Sequence, residues 1–309
     1  MERTANKLSI VGVLVKKGLE IRNVGEDKEC ISGSLVLRTD DGSEHEVNYF
    51  ANKYKKDENG NFTSEISKMY TGYETIISDY ISLEMDKDNA DVIKTGSTEL
   101  TANDFKNKEG NLISTNKIRA NFANRLSDQE REITPKAATF EVSGVITKIQ
   151  PEMIKDEATG NGIVMLDVIG YNGTIIPVKL TIPSNLVDGF GKAGFYEGGT
   201  GKFTGNIINT KTIETVVEKQ AFGEDKVYET TKTVKRYEVR GGSPLGGFES
   251  LKITQEEYSA AQSKRRLKLD EIKNGTNNSN TNNVNNMNNP FGQAAQPQVN
   301  PFSSNPFAR

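Results

Sequence analysis

Two stretches of this chain repeat one another at a nearly constant offset, and the duplication limits the fold more than any other feature. Leu8-Ser9-Ile10-Val11-Gly12-Val13-Leu14-Val15-Lys16 parallels Phe140-Glu141-Val142-Ser143-Gly144-Val145-Ile146-Thr147-Lys148. Further on, Leu35-Val36-Leu37, Asp41-Gly42 and Val47-Asn48-Tyr49 parallel Leu166-Asp167-Val168, Asn172-Gly173 and Val178-Lys179-Leu180, with the offset changed by one residue. Each copy opens with a β-branched strand broken by one glycine, Gly12 or Gly144, where a bulge or sharp bend is expected. Asp-Gly and Asn-Gly are strong hairpin signals, read here as type I′ turns, which need positive φ at both central residues.

A short helix is expected after each hairpin, about Glu65 to Asp79 and Ser184 to Phe190, followed by further strands. Strand, hairpin, helix and closing strands is the order of a five-stranded Greek-key barrel, the OB-fold. The fold class is therefore mainly β: two OB-fold-like five-stranded barrels in tandem, a C-terminal helix and a disordered tail. The first barrel is assigned to 1–133, and the second to 134–248 with a long β-hairpin whose loop is Phe222-Gly223-Glu224-Asp225. The helix is assigned to 249–273; Thr254 with Glu257 three residues later has capping-box spacing, and Tyr258, Ala261, Leu269 and Ile272 fall on one face. Its run Lys264-Arg265-Arg266-Lys268 is a solvated surface or a phosphate contact. From 274 to 309 the chain is Asn-rich, too poor in apolar surface to order itself, and carries three Asn-Pro-Phe copies beginning at Asn289, Asn300 and Asn305.

The single Cys30 and single His45 remove disulfide frameworks, cysteine zinc sites and most nucleophilic triads, so neither an enzyme nor a cofactor or metal is expected. Cys30 reads as a buried small residue and His45, among polar neighbours, as exposed. Gly198-Gly199-Thr200-Gly201-Lys202 lacks Walker spacing and reads as a turn. Asp86, Asp88 and Asp91 do not fit a calcium loop. No apolar run reaches membrane-spanning length.

The net charge of −3, from 39 Lys+Arg against 42 Asp+Glu, discourages a polyanion partner only if the charges are mixed. They are not. Acids gather at Glu84 to Asp91, Asp128 to Glu132 and Asp156-Glu157, whereas Lys117, Arg119 and Arg125 share one strand parity with Asn121 in a stretch without acids. Ile118, Ala120, Phe122 and Leu126 take the other parity. In the second unit Tyr228, Thr230, Lys232, Val234, Arg236 and Arg240 align, interrupted by Glu238. After the first hairpin, Tyr49-Phe50-Ala51-Asn52-Lys53-Tyr54 interleaves aromatics with cations; Val47 and Tyr49 face the core, and Asn48 and Phe50 face away. Single-stranded nucleic acid requires cations for phosphates and aromatic faces for bases. The candidate residues are therefore Arg38, Asn48, Phe50, Lys53, Tyr54, Lys117, Arg119, Arg125, Lys179, Tyr228, Lys232, Arg236 and Arg240. Phe50 belonging to an interdomain core, and the stripes being solvated strand faces, remain alternatives.

With two barrel-like units, an Asn/Gln-rich tail and a Pro-Phe element, the chain resembles the phage-type, tandem-OB single-stranded DNA-binding proteins over about Lys7 to Arg240 plus the tail. The resemblance implies sequence-independent binding of single-stranded DNA in DNA replication, recombination or repair, in the host cytoplasm if phage-encoded and without a membrane. It also implies recruitment of replication or recombination enzymes through Pro306 and Phe307, although Asn305-Pro306-Phe307-Ala308-Arg309 lacks the acidic tip of bacterial relatives. The competing reading is a virion or adaptor protein with two β domains and a docking-peptide tail.

Overall fold

The computed structural model describes residues 4–23, 29–170 and 173–275. The tail with its Asn-Pro-Phe copies, Pro306 and Phe307, together with Asn172 of the second hairpin, lies outside the described residues. The first unit comprises β1 (Asn6–Asn23), β2 (Glu29–Arg38), β3 (Glu44–Asn52), a two-stranded ribbon β4 (Tyr54–Lys56) and β5 (Phe62–Ile66), helix α1 (Lys68–Asp79), β6 (Val92–Lys106) and β7 (Leu112–Arg125). The strands β1, β2 and β3 form an antiparallel meander, β3 runs parallel to β7, β7 pairs with β6, and β6 returns to β1. That closed ring of five strands is an OB-like barrel.

Inward alternation builds its core. Val47 and Tyr49 on β3 are 0% and 2% exposed, while their neighbours Asn48 and Phe50 stay on the outer face. Ile10, Leu14, Ile31, Leu35, Leu37, Ile93 and Leu100 complete the interior, and α1 closes one end with Tyr70, Tyr73 and Ile76. Each such side chain contributes about 1.5–3 kcal/mol through burial.

The short α2 (Asp128–Ile133) leads to the second unit: β8 (Ala138–Ile154), β9 (Glu157–Ile169), β10 (Ile175–Ile182), α3 (Ser184–Lys192), β11 (Thr200–Glu218) and β12 (Lys226–Gly246). Its ring closes in the same order, with β10 parallel to β12 and β11 antiparallel to β8. The strands β11 and β12 stay paired from Thr200↔Gly246 out to Glu218↔Lys226, as one long hairpin projecting beyond the ring.

The rings are fused. β1 pairs antiparallel with β8 from Asn6↔Val142 to Ile10↔Ala138, giving a single ten-stranded sheet and a shared apolar core. Helix α4 (Gln255–Asn274) straps the join, with both capping-box bonds of Thr254 and Glu257 formed. Tyr258 donates to Asp167 of β9 at 2.8 Å, and Arg265 bridges Asp104 of β6 at 2.9 Å and the Ile175 carbonyl of β10 at 3.2 Å. Arg265 is thus a buried strap between the rings, not a solvated or phosphate-contacting cation. No helix among the described residues is long and apolar enough to cross a membrane.

Four local expectations need correction. The Asp41-Gly42 turn is not type I′: Gly42 has φ 79° but Asp41 is not in the positive-φ region, and Gly42 N–H donates to the Thr39 carbonyl. This is a type I turn closed by a left-handed glycine, the usual three-residue hairpin loop. Register shifts of β1 fall between Leu14 and Lys16 against β2 and between Leu8 and Val11 against β6, and those of β8 between Ile146 and Lys148 and between Pro151 and Met153, beside the glycines rather than at them. Gly12 and Gly144 serve close approach instead: a Cβ there would lie 2.8 Å from the Arg38 carbonyl oxygen and 2.2 Å from that of Asp167. The parity of β7 breaks after Ala120. Ser97 on the paired strand adopts φ 48°, Phe122 turns outward at 48% exposure, and Ala123 takes the core position. His45 is 1% exposed, not exposed, because β3 begins at Glu44 and His45 shares the inward parity of Val47.

Candidate nucleic-acid interface

The outer face of the first ring has a regular grid. Ser34 of β2 pairs with Asn48 of β3, which pairs with Arg119 of β7, and Ser32 pairs with Phe50 in the next row. Facing this grid from the second ring are β11 and the base of β12. Asn209 of β11 donates its backbone N–H to the Ser43 hydroxyl at 3.0 Å and its side-chain amide to the Glu44 carbonyl. On the other side, Asn116 of β7 donates to the Pro177 carbonyl at 2.9 Å. These bonds hold the two rings around a partly open cleft of about 390 Å³.

Among the described residues, Arg22, Lys117, Lys235 and Arg236 line the cleft against a single carboxylate, Glu46. Arg22 and Arg236 also touch Glu20 and Glu238, at 3.1 and 2.6 Å. His45 is a further lining residue. Burial lowers its pKa to about 4; the positive Lys235 acts in the same sense, and Asp41 opposes both. The imidazole is therefore neutral near pH 7, and the positive charge of the cleft comes from its Lys and Arg side chains. Two buried nitrogens in this lining, Nε2 of His45 and Nε of Arg236, have no hydrogen-bond partner.

Asn48, Lys117 and Arg236 converge on the cleft, with Arg119 and Phe50 on the adjoining face. Lys179 is exposed on β10; together with Arg236 it lies near Glu152, whose pKa is lowered first by its hydrogen bond from Asn161. Other candidates are committed elsewhere. Arg38 is bound to Glu44 through Nε and a terminal nitrogen, at 3.0 and 2.7 Å. Lys53 forms an ion pair with Glu29 at 3.2 Å and lies 5.9 Å from the centre of the Tyr54 ring, a clamp at the end of the barrel. Arg125, itself exposed, is tied to the buried Asp91 at 3.0 Å and stacks 4.4 Å over Tyr80. The parity break in β7 puts it there, outside the stripe read from the sequence.

Tyr228, half exposed, and Lys232 lie on the projecting arm of β12, and Arg240 is exposed at a register shift of β12, four residues past Arg236. At about 3.3 Å per residue, Tyr228 is roughly 26 Å from Arg236 and cannot share its cleft. Arg22, His45, Asn116, Asn209 and Lys235 were not singled out from sequence, because their common cleft is set by the β1–β8 junction.

A family model described as YorF matches residues 4–275. Among solved structures, a deletion variant of the single-stranded DNA binding protein from Thermus aquaticus is similar at 13% identity and a TM-score of 0.44, over 79% of this chain and 96% of that one. The wild-type Thermus aquaticus protein is similar at 12% identity and 0.42, over 78% and 93%. A replication protein A heterotrimer bound to single-stranded DNA gives 12% and 0.23, over 76% and 50%. No curated protein matches the sequence.

Proposed function

The chain belongs to the YorF family, and we propose that this member binds single-stranded DNA without reading its sequence. The observation that carries the reading is the inter-ring cleft, where, among the described residues, four cations and one lining carboxylate lie against the outer β2–β3 face of an OB-like ring. That face is where such barrels take oligonucleotides. A cationic groove follows phosphates, and the half-buried Phe50 and the exposed Tyr228 supply aromatic faces on which any base can stack. With about 4–16 nucleotides per barrel, two barrels occupy roughly 8–30. Binding shields the strand and removes its secondary structure during replication or recombination of phage DNA, while Pro306 and Phe307 recruit partner enzymes.

The test is fluorescence anisotropy with labelled oligo-dT across a salt series. Tight binding at low salt that weakens as salt rises is the expected result. No affinity at low salt, or equal affinity for duplex, would refute the reading. Truncation after 275 should leave oligo-dT affinity within a few fold, because the tail acts on other proteins; loss of affinity would assign the tail to DNA instead.

A further inference from the structure

Resting on the reading that the cleft takes single-stranded DNA, we infer that its cavity holds one whole nucleotide of the strand, base inward. A cationic surface alone would suffice for phosphates running over it. The cleft's volume of about 390 Å³ lies instead within the roughly 300–1,000 Å³ of small-molecule sites. Its wall includes Ile118, Ile207 and Tyr237, each under 10% exposed, a largely apolar lining that suits a base better than a phosphate.

The polar groups divide the same way. Asn48, Asn116 and Asn209 line the cavity, and each spends one of its two side-chain N–H groups on a backbone carbonyl, of Ile118, Pro177 and Glu44 respectively. Their amide oxygens remain as acceptors, beside one further N–H on each. Acceptors repel phosphate oxygens but receive N–H groups, and every DNA base presents at least one: an amino group on adenine, cytosine and guanine, a ring N–H on thymine. Acceptors of this kind hold a base without selecting it. The unpartnered Nε of Arg236, with the other cations, meets the sugar-phosphate, and Nε2 of His45 is a second unmet buried group that a ligand relieves.

The experiment compares oligo-dT with an abasic strand of equal length, for the full chain and for Ser34→Trp. Ser34 is an outer-face residue of the lining, so Trp fills the cavity without removing a cation. Loss of one stacked base corresponds to a drop of roughly 5- to 150-fold. Ser34→Trp should therefore weaken oligo-dT by that factor and leave the abasic strand unchanged. Equal oligo-dT affinity in the two proteins, or equal loss for both strands, overturns the inference. Side-chain amide NMR on the unaltered chain gives an independent reading. Thymidine monophosphate should shift Asn48, Asn116 and Asn209 whereas inorganic phosphate should not. No shift, or the same shift with both, overturns it. If the unaltered chain binds neither strand, the reading of the cleft as a DNA site fails instead.

Discussion

Acidification from pH 7.5 to 4.5 should destabilise this protein through His45 in particular. The imidazole is 1% exposed with its Nε2 unpartnered, and its folded pKa is about 4 against about 6.5 unfolded. A depressed folded pKa means that between these values the unfolded chain binds a proton that the folded chain refuses. Stability is therefore full above about pH 6.5 and is lost as pH falls towards 4. At pH 4.5 the two constants give a loss of about 2.5 kcal/mol, a large share of a typical 5–15 kcal/mol.

The charged groups facing His45 are Asp41 and Lys235. Burial pushes the Asp41 carboxyl up, but hydrogen bonds from Thr39 and Ser43 outweigh it and hold the pKa below its ordinary value, so Asp41 stays ionised across this window. Urea unfolding at both pH values, for the native chain and for His45→Gln, isolates the effect because other carboxylates titrate alike in the two proteins. The native chain should lose about 2.5 kcal/mol more than the variant. Equal acid losses would refute the assignment of a neutral, desolvated imidazole.

Arg265→Ala should cost about 3 kcal/mol in urea unfolding, because it strips the main partner from Asp104, whose side chain is fully buried. The paired change Asp104→Asn with Arg265→Met should recover much of that loss. Gly144→Ala should destabilise by about 3 kcal/mol and Gly12→Ala by about 1, since the added Cβ meets a carbonyl oxygen at 2.2 Å in the first case and 2.8 Å in the second; thermal melts rank them. Replacing both Lys117 and Lys235 with Ala should reduce the slope of log affinity for oligo-dT against log salt by about 1.4, at about 0.7 per phosphate contact. An unchanged slope would place the strand elsewhere.

Much of the fold is legible because its signals are short-range. Two-residue alternation in Val47-Asn48-Tyr49-Phe50 states which side of a strand is inside, and Thr254 with Glu257 marks a helix start through bonds closed within one turn. His45 was misread because its neighbours Glu44 and Glu46 hid the one-residue extension of β3 that turns it inward. Arg125 was misplaced because a kink shared by two strands, Ser97 in β6 and Phe122 in β7, is invisible to periodicity along either one alone.

The repeat, its turns and its core-facing parity determined two similar five-stranded rings and the outward position of Asn48, Phe50, Lys117 and Arg119. The tertiary structure decided which cations remain over a cleft and which are consumed by Asp91 or Asp104, and it supplied the facing wall. Asn209 meets Ser43 and Asn116 meets Pro177 across 166 and 61 residues of chain. Alternation and turn chemistry act between near neighbours, whereas charge pairing and enclosure depend on the register of β1 against β8, which brings distant segments together.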